Sequence, residues 1–153
     1  MSKFVHQSTR IHCNLLQAFQ MFTNEEKLET WLCNEAKIHD RNINIIINAE
    51  NLTINTKGSQ ITEEIAEKKL VIHWIEENRN VDSKVEINFM QCAKRTIHCV
   101  EVHLMHKDLP EELIDFYNIF WKNALDTLRY YYNNDWVIKD GDLTLTKLTG
   151  RSL

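Results

Sequence analysis

The chain has 153 residues, of which 43% are hydrophobic and 26% charged, a composition typical of one globular domain and not of a disordered segment. Its formal net charge of -4, without a clustered basic face, argues against nucleic-acid binding. Because no stretch approaches the roughly 20 apolar residues of a membrane span, and the N-terminus lacks the apolar core of a signal peptide, we expect a cytoplasmic protein.

The first third of the sequence predicts one strand followed by two short helices. The strand covers residues 3 to 12. Asn14 and Gln17 form a capping-box pattern for the first helix, and Asn24 is placed to cap the second. Apolar positions recur at helical spacing, with Leu15, Ala18, Phe19 and Phe22 in the first helix and Leu28, Trp31 and Leu32 in the second.

From about residue 35 to 106 the hydrophobic period changes to two, which is typical of strands. The predicted strands are short, and turn-prone residues separate them, so we expect an antiparallel meander. A hairpin turn is expected at Lys94 and Arg95. The predicted strands cover residues 36–38, 43–47, 52–56, 61–66, 70–74 and 84–89, and a last strand carries Val100, Val102 and Leu104.

A long C-terminal helix is predicted to begin at a capping box formed by Asp108 and Glu111 and to run to about Tyr132. Its broad apolar stripe requires an apolar surface of similar length, and only the inward face of the meander provides one. Residues 136–145 carry an Asp-Gly signal for a hairpin, with a loosely packed tail as the alternative. The stripe consists of Leu113, Tyr117, Phe120, Trp121, Ala124, Leu125, Leu128 and Tyr131.

Four segments, in order and at suitable spacing, resemble one known family. They are residues 18–32, 69–74, 102–109 and 121–128, each with Trp or His at a characteristic position. Together they are similar to the START-like (SRPBCC) superfamily, in its branch of Hsp90-ATPase-activator-homologue (AHSA1-like) domains. The resemblance covers about residues 8 to 132. The sequence departs from the family around residues 40 to 44, where a glycine-rich turn is missing.

The resemblance implies an α+β helix-grip fold, in which a curved antiparallel sheet and two short helices hold a long C-terminal helix. Residues 1–135 would form this single domain, with residues 136–153 a C-terminal hairpin or tail packed on it. Family members bind lipids, sterols or other apolar molecules in a cavity between helix and sheet. A few catalyse cyclisation or hydrolysis, and the eukaryotic namesake binds Hsp90.

The candidate ligand-binding residues are the large side chains that this frame would turn inward. Aromatic rings give a cavity apolar walls, and a tyrosine adds a polar tip. The alternative is that the same residues fill a solid core. The candidates are Trp74, Phe89, Leu104, Tyr117, Phe120 and Trp121.

Metal binding and catalysis have weaker support in the sequence. His98, Cys99, His103 and His106 are close in sequence, but strand alternation places them on two opposite faces, so we assign no metal site and expect His106 to cap or pack. The cysteines Cys13, Cys33, Cys92 and Cys99 have no metal-type spacing and are expected to be reduced thiols. One of Glu63 and Glu64 could point inward. We assign no catalytic residues and no cofactor.

Three functions follow, in order of preference. The first is a non-catalytic domain that binds a small apolar ligand, lipid-like or an aromatic metabolite. The second is a module whose partner is an Hsp90-type chaperone. The third is a cyclase- or hydrolase-like enzyme, for which the sequence offers no convincing pair of polar groups. Ligand identity and oligomeric state stay open.

Overall fold

The structure is a computed structural model that describes residues 4–49, 51–92 and 99–139. Strands and helices follow each other in the predicted order, and every strand pair is antiparallel. The elements are β1 (Val5–Ile11), α1 (Leu15–Thr23), α2 (Glu25–Trp31), β2 (Glu35–His39), β3 (Asn42–Ala49), β4 (Leu52–Asn55), β5 (Gln60–Ile65), β6 (Lys69–Glu76), β7 (Val81–Gln91), β8 (Val100–Lys107) and α3 (Ile114–Lys139), with 3-10 turns at Glu77–Arg79 and Glu111–Leu113.

The strands form one curved antiparallel sheet, and the fold class is α+β helix-grip, as predicted. Strand order is β1-β8-β7-β6-β5-β3-β2, with β4 paired to β3. Neighbours in sequence are mostly neighbours in space, but β1 pairs with β8 along its whole length, from Val5 opposite His106 to Ile11 opposite Val100. The first strand therefore forms one edge of the sheet, next to the last strand of the meander.

The two short helices begin at the predicted caps. The Asn14 side chain accepts a hydrogen bond from the Gln17 backbone N–H at 2.8 Å, and the Gln17 side chain accepts one from the Asn14 N–H at 3.0 Å. The Asn24 side chain accepts from the Lys27 N–H at 3.0 Å. These bonds satisfy N–H groups that the first turn of a helix otherwise leaves without partners.

The long helix lies against the sheet as predicted, but it begins later. Asp108 has φ of 64°, a left-handed conformation, whereas a helix N-cap has extended backbone, so the predicted capping box is wrong. Pro110 instead precedes a 3-10 turn, and α3 starts at Ile114. Residues 136–139, predicted as part of a hairpin or tail, continue α3, and residues 140–153 lie outside the described residues.

The apolar stripe of α3 forms the centre of the core. Tyr117, Trp121, Leu125 and Leu128 are between 0% and 2% exposed, so the stripe packs against the sheet over about three turns. None of the helices in the described part of the chain combines the length and hydrophobicity that crossing a bilayer requires.

The free edge of β2 is closed by side chains of α2. The Glu29 carboxylate accepts a hydrogen bond from the Ala36 backbone N–H at 3.0 Å, and the Glu25 carboxylate accepts one from the Ile38 N–H at 2.7 Å. Edge strands present unpaired backbone groups that can pair with another chain. Two carboxylates one helical turn apart therefore occupy the positions of the missing neighbouring strand.

Two of the four cysteines are joined, contrary to expectation. Cys92 and Cys99 form a disulfide with a Cα–Cα distance of 5.3 Å. The prediction of reduced thiols is wrong for this pair because the β7–β8 register places the two residues opposite each other, with the Cys92 N–H donating to the Cys99 carbonyl at 2.9 Å. Cys13 and Cys33 are free, and burial raises the pKa of each thiol to about 12. The predicted turn at Lys94 and Arg95 lies outside the described residues.

Candidate functional site

Polar and aromatic side chains meet beneath the first half of α3, and we call this group the buried cluster. Its members come from inward positions of β6, β7 and β8 and from the stripe of α3. Because side chains alternate along a strand, Glu76 follows Trp74 on the inner face, and Ser83 precedes the inward Val85. The cluster consists of Trp74, Glu76, Ser83, His106, Tyr117 and Trp121, all between 0% and 3% exposed.

His106 is held in one tautomer by its hydrogen bonds. The Trp121 indole Nε1–H donates to Nδ1 of His106 at 3.0 Å, and indole nitrogen is a donor only, so Nδ1 carries no proton. The imidazole proton is therefore on Nε2, which lies 2.8 Å from Ser83 Oγ. Ser83 Oγ in turn donates to the Trp74 carbonyl at 3.0 Å. Burial lowers the pKa of His106 to about 3, so the ring is neutral near pH 7.

The contact between Ser83 and His106 has the residue types of a nucleophile and its base, but the protons are placed the wrong way. A general base needs a lone pair directed at the serine hydroxyl, and here Nε2 donates to that oxygen. Trp121 fixes this direction. Both residues are also at most 3% exposed, so little of their surface is open to a substrate. The arrangement supports packing and orientation, not acyl transfer.

The second part of the cluster is an ion pair at its edge. The Arg79 Nε–H donates to Glu76 Oε1 at 2.8 Å, and Arg79 Nη2 donates to the Tyr117 hydroxyl at 3.1 Å. The Trp74 indole N–H lies 3.0 Å from Glu76 Oε2 and 3.2 Å from the Tyr117 hydroxyl. A fully buried carboxylate is costly without such partners. Glu76 therefore depends on Arg79, which reaches it from the 3-10 turn.

The six predicted ligand-binding residues are divided between four environments. Trp74, Tyr117 and Trp121 meet in the buried cluster, with ring centroids 5.5 Å apart between the two tryptophans. Phe120 adjoins them and is only partly buried, with its ring 4.9 Å from that of Trp121. Leu104 is fully buried in the core.

Phe89 belongs to a separate aromatic group under α1. Its ring centroid lies 5.4 Å from those of both Phe19 and Phe22, in edge-to-face contacts. Phe89 is 4% exposed and the buried-cluster members no more than 3%, so protein atoms cover nearly all of their surface. That the six residues line a ligand site stays a prediction, and among them Phe120 is the one with substantial exposed surface.

Beside the buried cluster, α3 presents a short apolar surface that we call the aromatic strip, formed by Phe116 and Phe120. Their rings are stacked, with centroids 6.1 Å apart and planes 13° from parallel, and both are partly exposed. The guanidinium of Arg79 lies 4.8 Å above the Phe116 ring. On the other side of the helix the Asn118 side chain accepts a hydrogen bond from Gln7 of β1 at 2.8 Å. The strip therefore faces away from β1, towards Arg79.

Sequence reasoning missed Glu76, Arg79 and Ser83. The alternation of β6, which places Leu70, Ile72 and Trp74 inward, extends to Glu76 and could have identified it. The suggestion from the sequence that one of Glu63 and Glu64 could point inward is wrong, because both are exposed, beyond a register shift in β5.

Of the histidines and cysteine that are close in sequence, the three that the structure describes do not come together. His106 is buried, whereas His103 lies on the outer face of β8, 3.2 Å from Glu101. Cys99 is in a disulfide, and His98 lies outside the described residues. In the ranges that the structure describes, no three His, Cys, Asp or Glu side chains are arranged to hold a metal ion.

Comparison with known proteins supports the fold, but it finds no relative by sequence. No family model matches the sequence, and a search of curated proteins finds no match. Solved structures do match. The Aha1 dimer from Colwellia psychrerythraea is similar over 85% of this chain and 96% of that one, with a TM-score of 0.67 and 12% identity. The likeness is one of fold.

Two further structures share it. XoxI from Bacillus cereus covers 86% of this chain and 96% of its own, with a TM-score of 0.67 and 15% identity. CalU16 from Micromonospora echinospora covers 86% of this chain and 82% of its own, with a TM-score of 0.65 and 16% identity. Differently named proteins thus share this fold, so the function of this chain must be argued from its site.

Proposed function

We propose that this chain is a non-catalytic binding domain for a small, largely apolar molecule, either lipid-like or an aromatic metabolite, held beside the first half of α3. The observation that carries the proposal is the aromatic strip, a partly exposed apolar surface directly beside a hydrogen-bonded cluster. Ligand sites are commonly apolar surfaces with a few fixed polar groups nearby. The START-like fold, in which a long helix lies against a curved sheet, supports the same function.

The structure suggests a division of roles among the predicted residues. Trp74, Tyr117 and Trp121 form a floor that hydrogen bonds hold in place, and Phe120 supplies contact surface with Phe116. A ligand that covered roughly 100 Å² of exposed ring surface there would gain about 2.5 kcal/mol from this contact. Micromolar binding needs about 8 kcal/mol, so the ligand must be mostly apolar and make further contacts.

The proposal is tested by a thermal-shift and native-mass screen against fatty acids, sterols and aromatic metabolites. Phe120→Ala should weaken any hit about tenfold or more. Leu16→Ala removes a side chain of α1 that is 49% exposed, and it should leave affinity unchanged. A screen without adducts or thermal shifts would contradict the proposal, as would equal effects of the two substitutions.

The second candidate is a module that acts on an Hsp90-type chaperone. The likeness in fold to the Aha1 structure favours it. Adding the protein to the chaperone at micromolar excess should then raise its ATPase rate. An unchanged rate, together with a hit in the ligand screen, would favour the first candidate.

A further inference from the structure

Arg79 has hydrogen-bonding capacity that its own chain does not use. A guanidinium carries five N–H groups in a fixed plane. The side edge, formed by Nε and Nη2, is occupied by Glu76 at 2.8 Å and by the Tyr117 hydroxyl at 3.1 Å. Within residues 4–49, 51–92 and 99–139, no acceptor is bound at Nη1 or at the second Nη2 hydrogen. Nη1 and Nη2 together form the outer edge of the guanidinium, and the side chain is 18% exposed.

Three contacts fix the position of this outer edge. Glu76 and Tyr117 hold the side edge, and the Phe116 ring lies 4.8 Å below the guanidinium carbon. Phe116 stacks in turn on Phe120. A pair of parallel N–H donors is thus held at one end of the aromatic strip.

We propose that Arg79 selects the ligand of this site as a carboxylate, whose two oxygens accept from the outer edge of the guanidinium while its apolar body lies along the aromatic strip. This inference rests on the proposed function and names its ligand class. Arginine binds carboxylates through two parallel N–H···O bonds, a geometry that lysine cannot reproduce. Because Arg79 is already clamped, little side-chain freedom is lost on binding.

The negative charge of Glu76 affects how strongly Arg79 selects a carboxylate. Glu76 neutralises Arg79, so the pair attracts an anion less than a lone arginine would. The Trp74 N–H donates to Glu76 at 3.0 Å and offsets part of the carboxylate charge. Recognition therefore depends mainly on donor geometry, and we expect the acid to bind about tenfold more tightly than an uncharged ester of the same body.

The test compares matched pairs of probes by calorimetry: decanoate with methyl decanoate, and 2-naphthoate with methyl 2-naphthoate. The main variant is the double substitution Glu76→Gln/Arg79→Met, which removes one acid and one base together and leaves no buried carboxylate without its partner. Its matched control is Glu101→Gln/Arg10→Met, which removes another Arg–Glu pair, with a 2.8 Å contact, on the outer side of the sheet. Both leave the net charge unchanged.

Wild type and control should prefer each acid over its ester about tenfold, whereas the main variant should bind both members of a pair within about twofold. If no probe and no compound of the wider screen binds, the proposed function fails. If esters bind as tightly as acids, the proposed function stands and the role of Arg79 is overturned. A preference that persists in the main variant overturns it too. Should that variant not fold, Arg79→Lys keeps the positive charge but removes the pair of parallel N–H donors. An unchanged preference for the acid in Arg79→Lys would also overturn the role of Arg79.

Discussion

Lowering the pH from 7.5 to 5 is expected to remove about 2 kcal/mol of folding free energy through His106 alone. Its pKa is about 3 in the folded chain, against 6.5 for a free side chain. Between these values the unfolded state binds the extra proton, so stability falls as the pH falls through 6.5 and levels off near pH 3. Each pH unit within this range costs about 1.36 kcal/mol, and pH 5 lies 1.5 units below 6.5.

The assay is urea unfolding of wild type and His106→Gln at pH 7.5, 6 and 5. Glutamine carries a donor and an acceptor but does not titrate, so the variant should lose about 2 kcal/mol less than wild type between the extreme pH values. His39→Gln is the control, because His39 is 88% exposed and the substitution leaves the buried imidazole in place. Parallel pH profiles of wild type and His106→Gln would refute the reasoning.

Two other features give direct tests. Glu25→Ala/Glu29→Ala should open the β2 edge and increase self-association in sedimentation velocity, whereas Glu26→Ala, an exposed neighbour with no contact to that edge, should not; equal behaviour of the two variants would contradict the role of the carboxylates. Cys92→Ser/Cys99→Ser should lower the free energy of unfolding by roughly 2–3 kcal/mol in urea titrations and match reduced wild type. A double serine variant as stable as the oxidised protein would show that the disulfide adds nothing.

The parts of the fold that were predictable depend on local signals. Asn14 and Asn24 cap their helices because an amide side chain and the first-turn N–H groups are close in sequence. The stripe of α3 was visible because its 3.6-residue period continues over many turns. The start of α3 was not predictable. Asp108 satisfies the sequence pattern of a helix cap, but its backbone is left-handed at the end of β8.

The candidate site was predictable only in its apolar half. Trp74, Tyr117 and Trp121 came together because each lies on the buried face of its own element. The contact between Arg79 and Tyr117 could not be read from the sequence, because the packing of α3 against the sheet brings together two residues that are 38 positions apart. Glu76, by contrast, lies only three residues before Arg79. Likewise the disulfide depends on the register of the hairpin that joins β7 to β8.

The pairing of β1 with β8 affects how the chain can fold during synthesis. Val5 pairs with His106, about 100 residues later, so among the described residues the first strand made pairs with the last. At about 5–20 residues per second, a ribosome needs roughly 5–20 s to add the intervening segment. Throughout that interval the strand that pairs with β1 has not yet been made, and the appearance of β8 outside the ribosome is the event that lets these two strands join.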